Sequence, residues 1–175
     1  MIFLESERLL FRTHEPQDEP DFISMHMDPE LRRYVGGRPW PFEKAKTRFR
    51  DEYLGRPKDI YGLWATILMG EGKYIGCCGL RAGDNEREAH LGHYLARPFW
   101  RRGFASEASG IFIDVAFNRL HLTRLLARAE KGNGASERIL QKFGFKYVSR
   151  ELIPAGGRVI DSYELTRSEW TKKST

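Results

Sequence analysis

The chain has 175 residues, 41% of them hydrophobic, and a formal net charge of +5. It is long enough to bury the core of one domain, its composition excludes a disordered chain, and its modest, dispersed charge suits a polyanionic ligand better than nucleic acid. No uncharged apolar run approaches the roughly 20 residues that span a bilayer, and residues 1–5 lack the features of a signal peptide. We therefore expect one cytoplasmic domain over residues 1–175, with its core over about 4–167, and neither a membrane nor nucleic acid as partner.

Hydrophobic periodicity divides the chain into helices and strands. Asp28 followed by Pro29 indicates the start of a short helix, which the glycine pair at 36 and 37 ends. In chain order the sequence predicts a strand over 8–13, helices over 16–27, 29–34 and 41–53, strands over 61–69, 74–80 and 88–96, a helix over 105–118, a strand over 123–129, a helix over 135–143, and strands over 145–152 and 159–165. The result is an α+β fold, a mostly antiparallel, seven-stranded mixed sheet with four or five helices and a parallel crossover over 88–129.

Cysteine and histidine spacing argues against a disulfide and a metal site. Cys77 and Cys78 are adjacent, so in a strand their side chains point to opposite faces, and we expect two reduced thiols. His90 and His93 have the wrong spacing for two ligands from one strand face. No cluster of carboxylates or cysteines completes a zinc set, so no metal is expected.

The strongest functional signal is the turn that follows the strand over 88–96. Here Arg101, Arg102 and Gly103 lead into a long helix. The free N–H groups and the dipole of the first helical turn form an anion site, Gly103 allows close approach of a phosphate, and the small Ala105 and Ser106 keep that approach open. Taken alone, the pattern fits a tight turn with a solvated arginine pair equally well.

A second signal lies about thirty residues further on. Asn133 is placed to cap the next helix, Ser136 lies on its first turn, and Gly144 ends it. Capping and solvation explain these residues without a ligand. The two signals together are far more specific than either one.

Together they resemble motifs A and B of the GNAT superfamily of N-acyltransferases. Gly103 and Ala105 match the last two fixed positions of Gln/Arg-x-x-Gly-x-Gly/Ala, whereas Trp100 occupies the Gln/Arg position and cannot do the same work. The likeness is closest to the branch that includes the ribosomal-protein N-terminal acetyltransferases. It runs from about residue 4 to residue 165, and its further matching segments are Glu5-Ser6-Glu7-Arg8-Leu9, Asp28-Pro29-Glu30, Gly62-Leu63-Trp64-Ala65 and Ala105-Ser106-Glu107-Ala108.

The resemblance implies the GNAT fold, with its central parallel strands splayed at the cofactor site, and acetyl-CoA as co-substrate. The strand end at Leu95 and Ala96 is expected to pair with the pantetheine arm, and Asn133 to hydrogen-bond it. Ser136 is expected near the thioester sulfur. The pyrophosphate is expected on the backbone of Arg101, Arg102, Gly103, Phe104, Ala105 and Ser106.

An amine that attacks a thioester needs an oxyanion donor, an acid for the leaving group and a proton acceptor. We expect a backbone N–H near Leu95 to stabilise the oxyanion and Ser136 to protonate the thiolate. Strand alternation places Glu88 and His90 on one face and His93 on the other. His90 occupies the position at which relatives often carry a glutamate, and Glu88 is the alternative base. Both are also ordinary as exposed or hydrogen-bonded strand residues.

Acceptor selection is expected to depend on Arg38 and Trp40, on side chains near Trp64 and on the loop over 155–158. Trp40 is equally suited to anchoring its own loop in the core. The sequence thus predicts an acyl-CoA-dependent N-acyltransferase acting on a peptide N-terminus, an amino acid or a small-molecule amine, and it allows a homodimer. A larger acyl group and a non-catalytic acyl-CoA-binding module remain open alternatives, while a nucleic-acid-binding domain has no supporting motif.

Overall fold

A computed structural model describes residues 2–154 and 156–173 of the chain. The strands are β1 (Ile2–Glu5), β2 (Leu9–Arg12), β3 (Gly62–Leu68), β4 (Lys73–Ala82), β5 (Glu88–Leu95), β6 (Arg124–Glu130), β7 (Lys146–Ile153) and β8 (Arg158–Thr166). The α-helices are α1 (Glu19–Met27), α2 (Pro29–Tyr34), α3 (Phe42–Arg48), α4 (Phe104–Asp114), α5 (Gly134–Phe143) and α6 (Arg167–Lys173).

The described strands form one eight-stranded sheet in the order β1-β2-β3-β4-β5-β6-β8-β7. Strands β5 and β6 pair parallel through the crossover helix α4, and the other neighbouring strands pair antiparallel. This confirms the mostly antiparallel mixed sheet. The predicted count of seven strands was one too low, because β1 has four residues and so short a strand gives little periodic signal. Helix α6 also lies beyond the predicted elements.

Helices pack on both faces of the sheet and create two apolar cores. The core beneath α4 includes Phe11 and Phe112, whose ring centroids lie 5.1 Å apart in an edge-to-face contact. The core beneath α1 and α3 includes Phe22 and Phe49, which are likewise 5.1 Å apart. Between them, the sheet is buried on both faces around its centre, where the strands that form the candidate site lie.

Local sequence signals account for the shape of the helical layer. The Asp28 carboxylate accepts a hydrogen bond of 2.9 Å from the N–H of Glu30, which confirms the predicted helix start at Pro29. The predicted helix over 16–27 divides into a 3₁₀ turn at Pro16–Asp18 followed by α1. Within the described part of the chain, no helix has the length and the apolar character needed to cross a bilayer.

The two cysteines are buried and unpaired in β4. Burial raises the pKa of Cys77 to about 12, so its thiol stays protonated near neutral pH. The expectation of two free thiols is confirmed.

Candidate active site

The parallel strands β5 and β6 separate towards their carboxyl ends. Their last paired residues are Leu91 and Ala127, yet β5 continues to Leu95 and β6 to Glu130. The gap between them exposes strand edges at the centre of the sheet, where neighbouring strands would otherwise satisfy both edges. The predicted splay of the central parallel pair is confirmed.

The end of β5 turns one backbone N–H towards this gap. Ala96 donates its N–H to the carbonyl of Ile75 on β4 at 2.9 Å. Backbone groups of successive strand residues alternate between the two neighbouring strands, so those of Leu95 point towards the gap. The Leu95 carbonyl accepts a hydrogen bond of 2.6 Å from the indole Nε1 of Trp100. The Leu95 N–H therefore remains as the donor that faces the gap.

Ala96, in contrast, has no backbone group left for a ligand. Its N–H is bonded to Ile75, and its carbonyl accepts the N–H of Phe99 at 3.0 Å. Since both its backbone groups have partners within the chain and Ala96 does not line the pocket, the structure favours Leu95 over Ala96 for the predicted pairing. Trp100, which occupies the Gln/Arg position of the motif, instead fixes the turn against the strand end.

The turn before α4 presents unbonded amides. Gly103 is the N-cap residue of α4 with a left-handed φ of 81°, a conformation that favours glycine, and no side chain caps the helix. The first helical bond runs from the N–H of Glu107 to the carbonyl of Gly103 at 3.0 Å. The N–H groups of residues 104–106 precede that bond and form an anion-binding helix terminus.

An N-terminal segment braces this turn. Both the hydroxyl of Ser6 and the N–H of Arg8 donate to Oε1 of Glu107, at 2.7 and 2.9 Å, and the Nε of Arg8 donates to Oε2 at 2.7 Å. Arg8 also donates from Nη1 to the carbonyl of Arg102 at 3.1 Å. Two of the segments that carried the family likeness therefore meet here. The sequence analysis assigned no role to the first segment, nor to Glu107 of the second.

A pocket of about 600 Å³ occupies the gap and reaches both faces of the sheet. On one face it is lined from α2 by Leu31 and Tyr34, and on the other by the starts of α4 and α5. The predicted cofactor and catalytic residues that it brings together are Leu95, Arg101, Gly103, Phe104, Ala105, Ser106, Asn133 and Ser136. Arg102 lies beside it, with its guanidinium 4.9 Å from the ring centroid of Phe104.

Asn133 and Ser136 are held by the start of α5. The side-chain oxygen of Asn133 accepts a hydrogen bond of 3.2 Å from the N–H of Ser136, which confirms its capping role. This leaves the NH₂ group of Asn133 as its donor towards the pocket. Ser136 is half-buried on the first turn of α5 and lines the pocket, and a serine hydroxyl is able to donate a proton.

The pocket wall is mainly basic. Its charged lining residues are Arg101, Arg128, Arg138, Lys142 and the single described carboxylate Glu130. Glu130 forms an ion pair with Arg158 at 2.8 Å, and this pairing offsets its negative charge. Such a wall favours a polyanionic ligand.

A family model described as an acetyltransferase (GNAT) domain matches residues 8–146. The chain belongs to the GNAT family. It is an N-acetyltransferase, and enzymes of this family draw the acetyl group from acetyl-CoA. The matched span contains both the helix-start turn and the capped start of α5.

Individual GNAT relatives extend the match over nearly the whole chain. The uncharacterized N-acetyltransferase p20 of Bacillus licheniformis is 30% identical and aligns over 93% of this chain and 94% of its own. YdaF of Bacillus subtilis, provisionally named a ribosomal N-acetyltransferase, is 24% identical over 94% of each chain. The chain is therefore similar to a relative named for the predicted branch.

Solved GNAT structures share the fold at lower identity. A GNAT acetyltransferase from Bacillus anthracis superposes with a TM-score of 0.84 at 22% identity, covering 97% of this chain and 100% of its own. The spermidine N-acetyltransferase of Vibrio cholerae, solved with CoA and spermine, gives a TM-score of 0.76 at 14% identity, covering 95% and 99%.

The two predicted bases lie outside the lining of the GNAT pocket. Glu88 is at the opposite end of β5, about 23 Å from Leu95 at 3.3 Å per strand residue, and its Oε1 accepts a hydrogen bond of 2.9 Å from Nε of Arg124. The structure gives Glu88 this ion pair in place of a catalytic contact. His90 is paired across the sheet with Arg81 and Leu126, about 16 Å from Leu95 on the same scale.

The predicted acceptor residues also lie elsewhere. Trp64 is 2% exposed within the core beneath α4, so the prediction that it contacts substrate is wrong. The side chain of Arg38 is exposed and outside the lining. Trp40 stacks on His26 with ring centroids 4.4 Å apart, which is the anchoring role that the sequence allowed. Of the predicted loop over 155–158, Ala155 lies outside the described residues.

The pocket residues that the sequence analysis did not assign include two titratable side chains near the end of β5. His93 and Tyr94 lie in the stretch of β5 that pairs with β4 but no longer with β6, and they line the pocket from opposite faces of the strand. Burial lowers the pKa of His93 to about 4, so its imidazole is neutral at pH 7, and Nδ1 lies 3.4 Å from the hydroxyl of Ser109. Burial raises the pKa of Tyr94, which keeps its hydroxyl protonated. Their closeness in sequence to Leu95 is the signal from which both could have been identified.

Proposed function

We propose that this enzyme transfers an acetyl group from acetyl-CoA to a primary amine by direct attack in a ternary complex. The observation that carries the proposal is the pocket between β5 and β6, which is open to both faces of the sheet. Acetyl-CoA enters from the face of α4 and α5, and the acceptor from the face of α2. The acceptor is a protein N-terminus, an amino acid or a small-molecule amine.

The cofactor is held mainly by backbone groups. The pyrophosphate rests on the amides of residues 101–106, where the helix dipole and Arg101 favour negative charge. The pantetheine arm follows the open edge of β5 and receives a hydrogen bond from the NH₂ group of Asn133. The basic pocket wall and the GNAT family membership support this placement.

Two groups at the gap assist the acyl transfer. The amine nitrogen forms a bond to the thioester carbonyl carbon, and the Leu95 N–H stabilises the oxyanion that develops. The C–S bond then breaks, the Ser136 hydroxyl gives its proton to the thiolate, and Ser136 is reprotonated from solvent.

The amine loses its proton to pocket water. Glu88 and His90 are not among the residues that line the pocket. His93 does, but a pKa of about 4 makes it a weak proton acceptor at pH 7. An α-amine, with an ordinary pKa near 8, has an accessible neutral form without a dedicated base.

Thermal melting with and without acetyl-CoA, followed by a thiol-release assay on a panel of amines and short peptides, tests the proposal. A ligand present at 100 times its Kd adds about 2.7 kcal/mol to the free energy of unfolding, so we expect a rise in Tm of several degrees. Thiol release that depends on the amine, with the acetylated product identified by mass, supports transfer. An unchanged Tm at millimolar acetyl-CoA contradicts the proposal.

A further inference from the structure

Arg32 on α2 is a buried cation without a counter-ion. Its side chain belongs to a residue that is only 6% exposed. Its Nε donates a hydrogen bond of 3.0 Å to the carbonyl of Arg38. Its electrostatic neighbours include Arg158 and the tyrosines Tyr94 and Tyr53, and no carboxylate of residues 2–154 and 156–173 forms an ion pair with it.

A second buried arginine, Arg12, has the carboxylate partner that Arg32 lacks. Arg12 is 7% exposed and binds both carboxylate oxygens of Asp18, at 2.7 and 2.8 Å. The hydrogen bonds from Arg12 to Asp18 raise the pKa of Arg12, whereas burial lowers the pKa of Arg32. A buried charge is costly unless a partner compensates it. Arg12 has its partner within the chain, and Arg32 does not.

The guanidinium of Arg32 nevertheless has a defined position, set by an aromatic ring and a glycine. Its guanidinium lies 4.4 Å from the ring centroid of Trp40, whose ring is stacked in turn on His26. A Cβ at Gly36 would collide with Nη2 of Arg32, so the glycine leaves room for the guanidinium. A side chain that merely snorkels to solvent needs neither the aromatic platform nor the cleared space.

Arg32 lies beside the acceptor face of the pocket. Its neighbours on α2, Leu31 and Tyr34, line that face, and its charge reaches the Tyr94 hydroxyl, which lines it too. Arg158 also lies close by, because a Cβ at Gly37 would lie 3.0 Å from Cδ of Arg158, but its guanidinium is paired with Glu130. A polycationic acceptor would meet the uncompensated Arg32 and no unpaired carboxylate among the described lining residues.

We propose that Arg32 binds a carboxylate of the acceptor, so that the substrate is an amine that also carries a carboxylate. A guanidinium in a desolvated site pairs strongly with a carboxylate, and it presents two parallel N–H donors to it. A free amino acid and a peptide N-terminus next to an acidic residue both offer this chemistry. The inference deepens the proposed acetyl transfer and rests on it.

The test compares matched acceptors in the thiol-release assay. One arm pairs free amino acids with their α-amides, and the other pairs C-terminally amidated tripeptides with Glu or Gln at the second position. The wild type is expected to prefer the carboxylate member of at least one arm by tenfold or more in kcat/KM. Arg32→Met removes that preference and leaves the KM for acetyl-CoA within twofold. Equal rates for both members of every pair, or a preference that persists in Arg32→Met, overturn the proposal.

Two controls separate recognition from folding. Arg33→Met changes an exposed arginine on the same helix, and its acceptor preference is expected to match the wild type. Arg32→Met is expected to keep or raise the Tm, because an apolar side chain replaces an uncompensated charge. A large drop in Tm together with an unchanged acceptor preference would assign Arg32 a purely structural role and overturn the proposal.

A binding measurement keeps the inference separate from the proposed function. Thermal melting with CoA plus an N-acetyl amino acid, or plus its N-acetyl amide, reports the carboxylate contact without turnover. We expect the acid to stabilise the wild type more than the amide, and Arg32→Met to abolish the difference. If acetyl-CoA stabilises the protein but acid and amide behave alike, the Arg32 proposal fails alone. If acetyl-CoA gives no stabilisation, the proposed function fails first.

Discussion

The two sides of the pocket are built in different ways. On the side of α4 and α5, ligand groups are offered by backbone amides of one continuous turn and by the cap of one helix. On the side of α2, the wall consists of side chains from α2 and β5, set against a platform that Trp40 and His26 form. A site made from local backbone can be identified from a short motif. A site made from packed side chains cannot, because its members come from distant segments.

The largest expected effect is on acetyl-CoA binding at the side of α4 and α5. Gly103→Glu places a carboxylate at the proposed pyrophosphate site and imposes a left-handed conformation on a residue with a Cβ. We expect the affinity for acetyl-CoA, measured by calorimetry, to fall at least a hundredfold. Gly72→Glu is the matched control, since Gly72 also has a positive φ of 61° and nothing lies within 4 Å of an added Cβ. Equal affinities for the two variants would refute the assignment.

The next effect concerns chemistry rather than binding. Ser136→Ala removes the proposed leaving-group acid, and loss of a positioned proton donor lowers rates by about a hundredfold or more. We expect kcat to fall by that order while the KM for acetyl-CoA stays within twofold. Ser149→Ala, on the exposed face of β7, serves as the control. A normal kcat in Ser136→Ala with binding intact would remove Ser136 from the mechanism.

The brace of the α4 turn should matter less. Glu107→Gln weakens its contacts with Ser6 and Arg8 but leaves the amides of residues 104–106 in place. We expect the Kd for acetyl-CoA to rise about tenfold, because a charge-assisted hydrogen bond is worth about 1.5–3 kcal/mol and only part of that acts on the ligand. Glu19→Gln, which breaks the exposed pair with Arg50, should leave the Kd unchanged. A comparable loss in both variants would count against the brace.

The smallest effect for any one residue is a sensitivity of the fold to acid, which buried histidines on both faces of the sheet share, His93 beside α4 included. Burial lowers the pKa of His14 to about 4 and that of His26 to about 3. Between those values and the ordinary value of 6.5, the unfolded state binds more protons, so stability is complete above pH 6.5 and is lost as the pH falls. Each of these histidines should lower the free energy of unfolding by about 1 kcal/mol per pH unit below pH 6, within the 1.36 kcal/mol limit per titrating group. Urea unfolding measures the sum of their contributions.

Variants of those histidines sharpen the comparison. His14→Gln removes a titrating group that lies next to Phe49 and Tyr53, so the slope of stability against pH should flatten. Acetyl-CoA affinity in the folded protein should not follow the same pH dependence, because backbone amides do not titrate in this range. A slope that is unchanged in His14→Gln would assign the acid sensitivity to other groups.

Local patterns were sufficient for most of the fold. The alternation in β5, the helical spacing of α4 and the cap at Asp28 each depend on neighbours within a few residues, and all were predicted. Strand β1 was not, because its four residues are recognised as a strand through pairing with β2. Such pairing is a tertiary contact that the sequence does not display.

The candidate site divides along the same line. Motif positions at Gly103, Asn133 and Ser136 were brought to one pocket as expected, because short segments of chain determine their geometry. Glu88 lies about 23 Å from Leu95 at 3.3 Å per strand residue, a separation that the predicted strand over 88–96 already implied, so the sequence alone argued against it as the base. The prediction for Trp64 was wrong because alternation along a strand does not show which face of the sheet a helix will cover. Arg32 carried no signal at all, since its burial arises from Trp40 and Gly36 in three dimensions.

A crystal structure of the enzyme with bound CoA tests the central claim most directly. The account predicts diphosphate oxygens within hydrogen-bonding distance of the backbone amides of residues 101–106, with the pantetheine arm along the open edge of β5 beside Leu95. A diphosphate bound away from the start of α4, or an arm that does not enter the gap between β5 and β6, would contradict it.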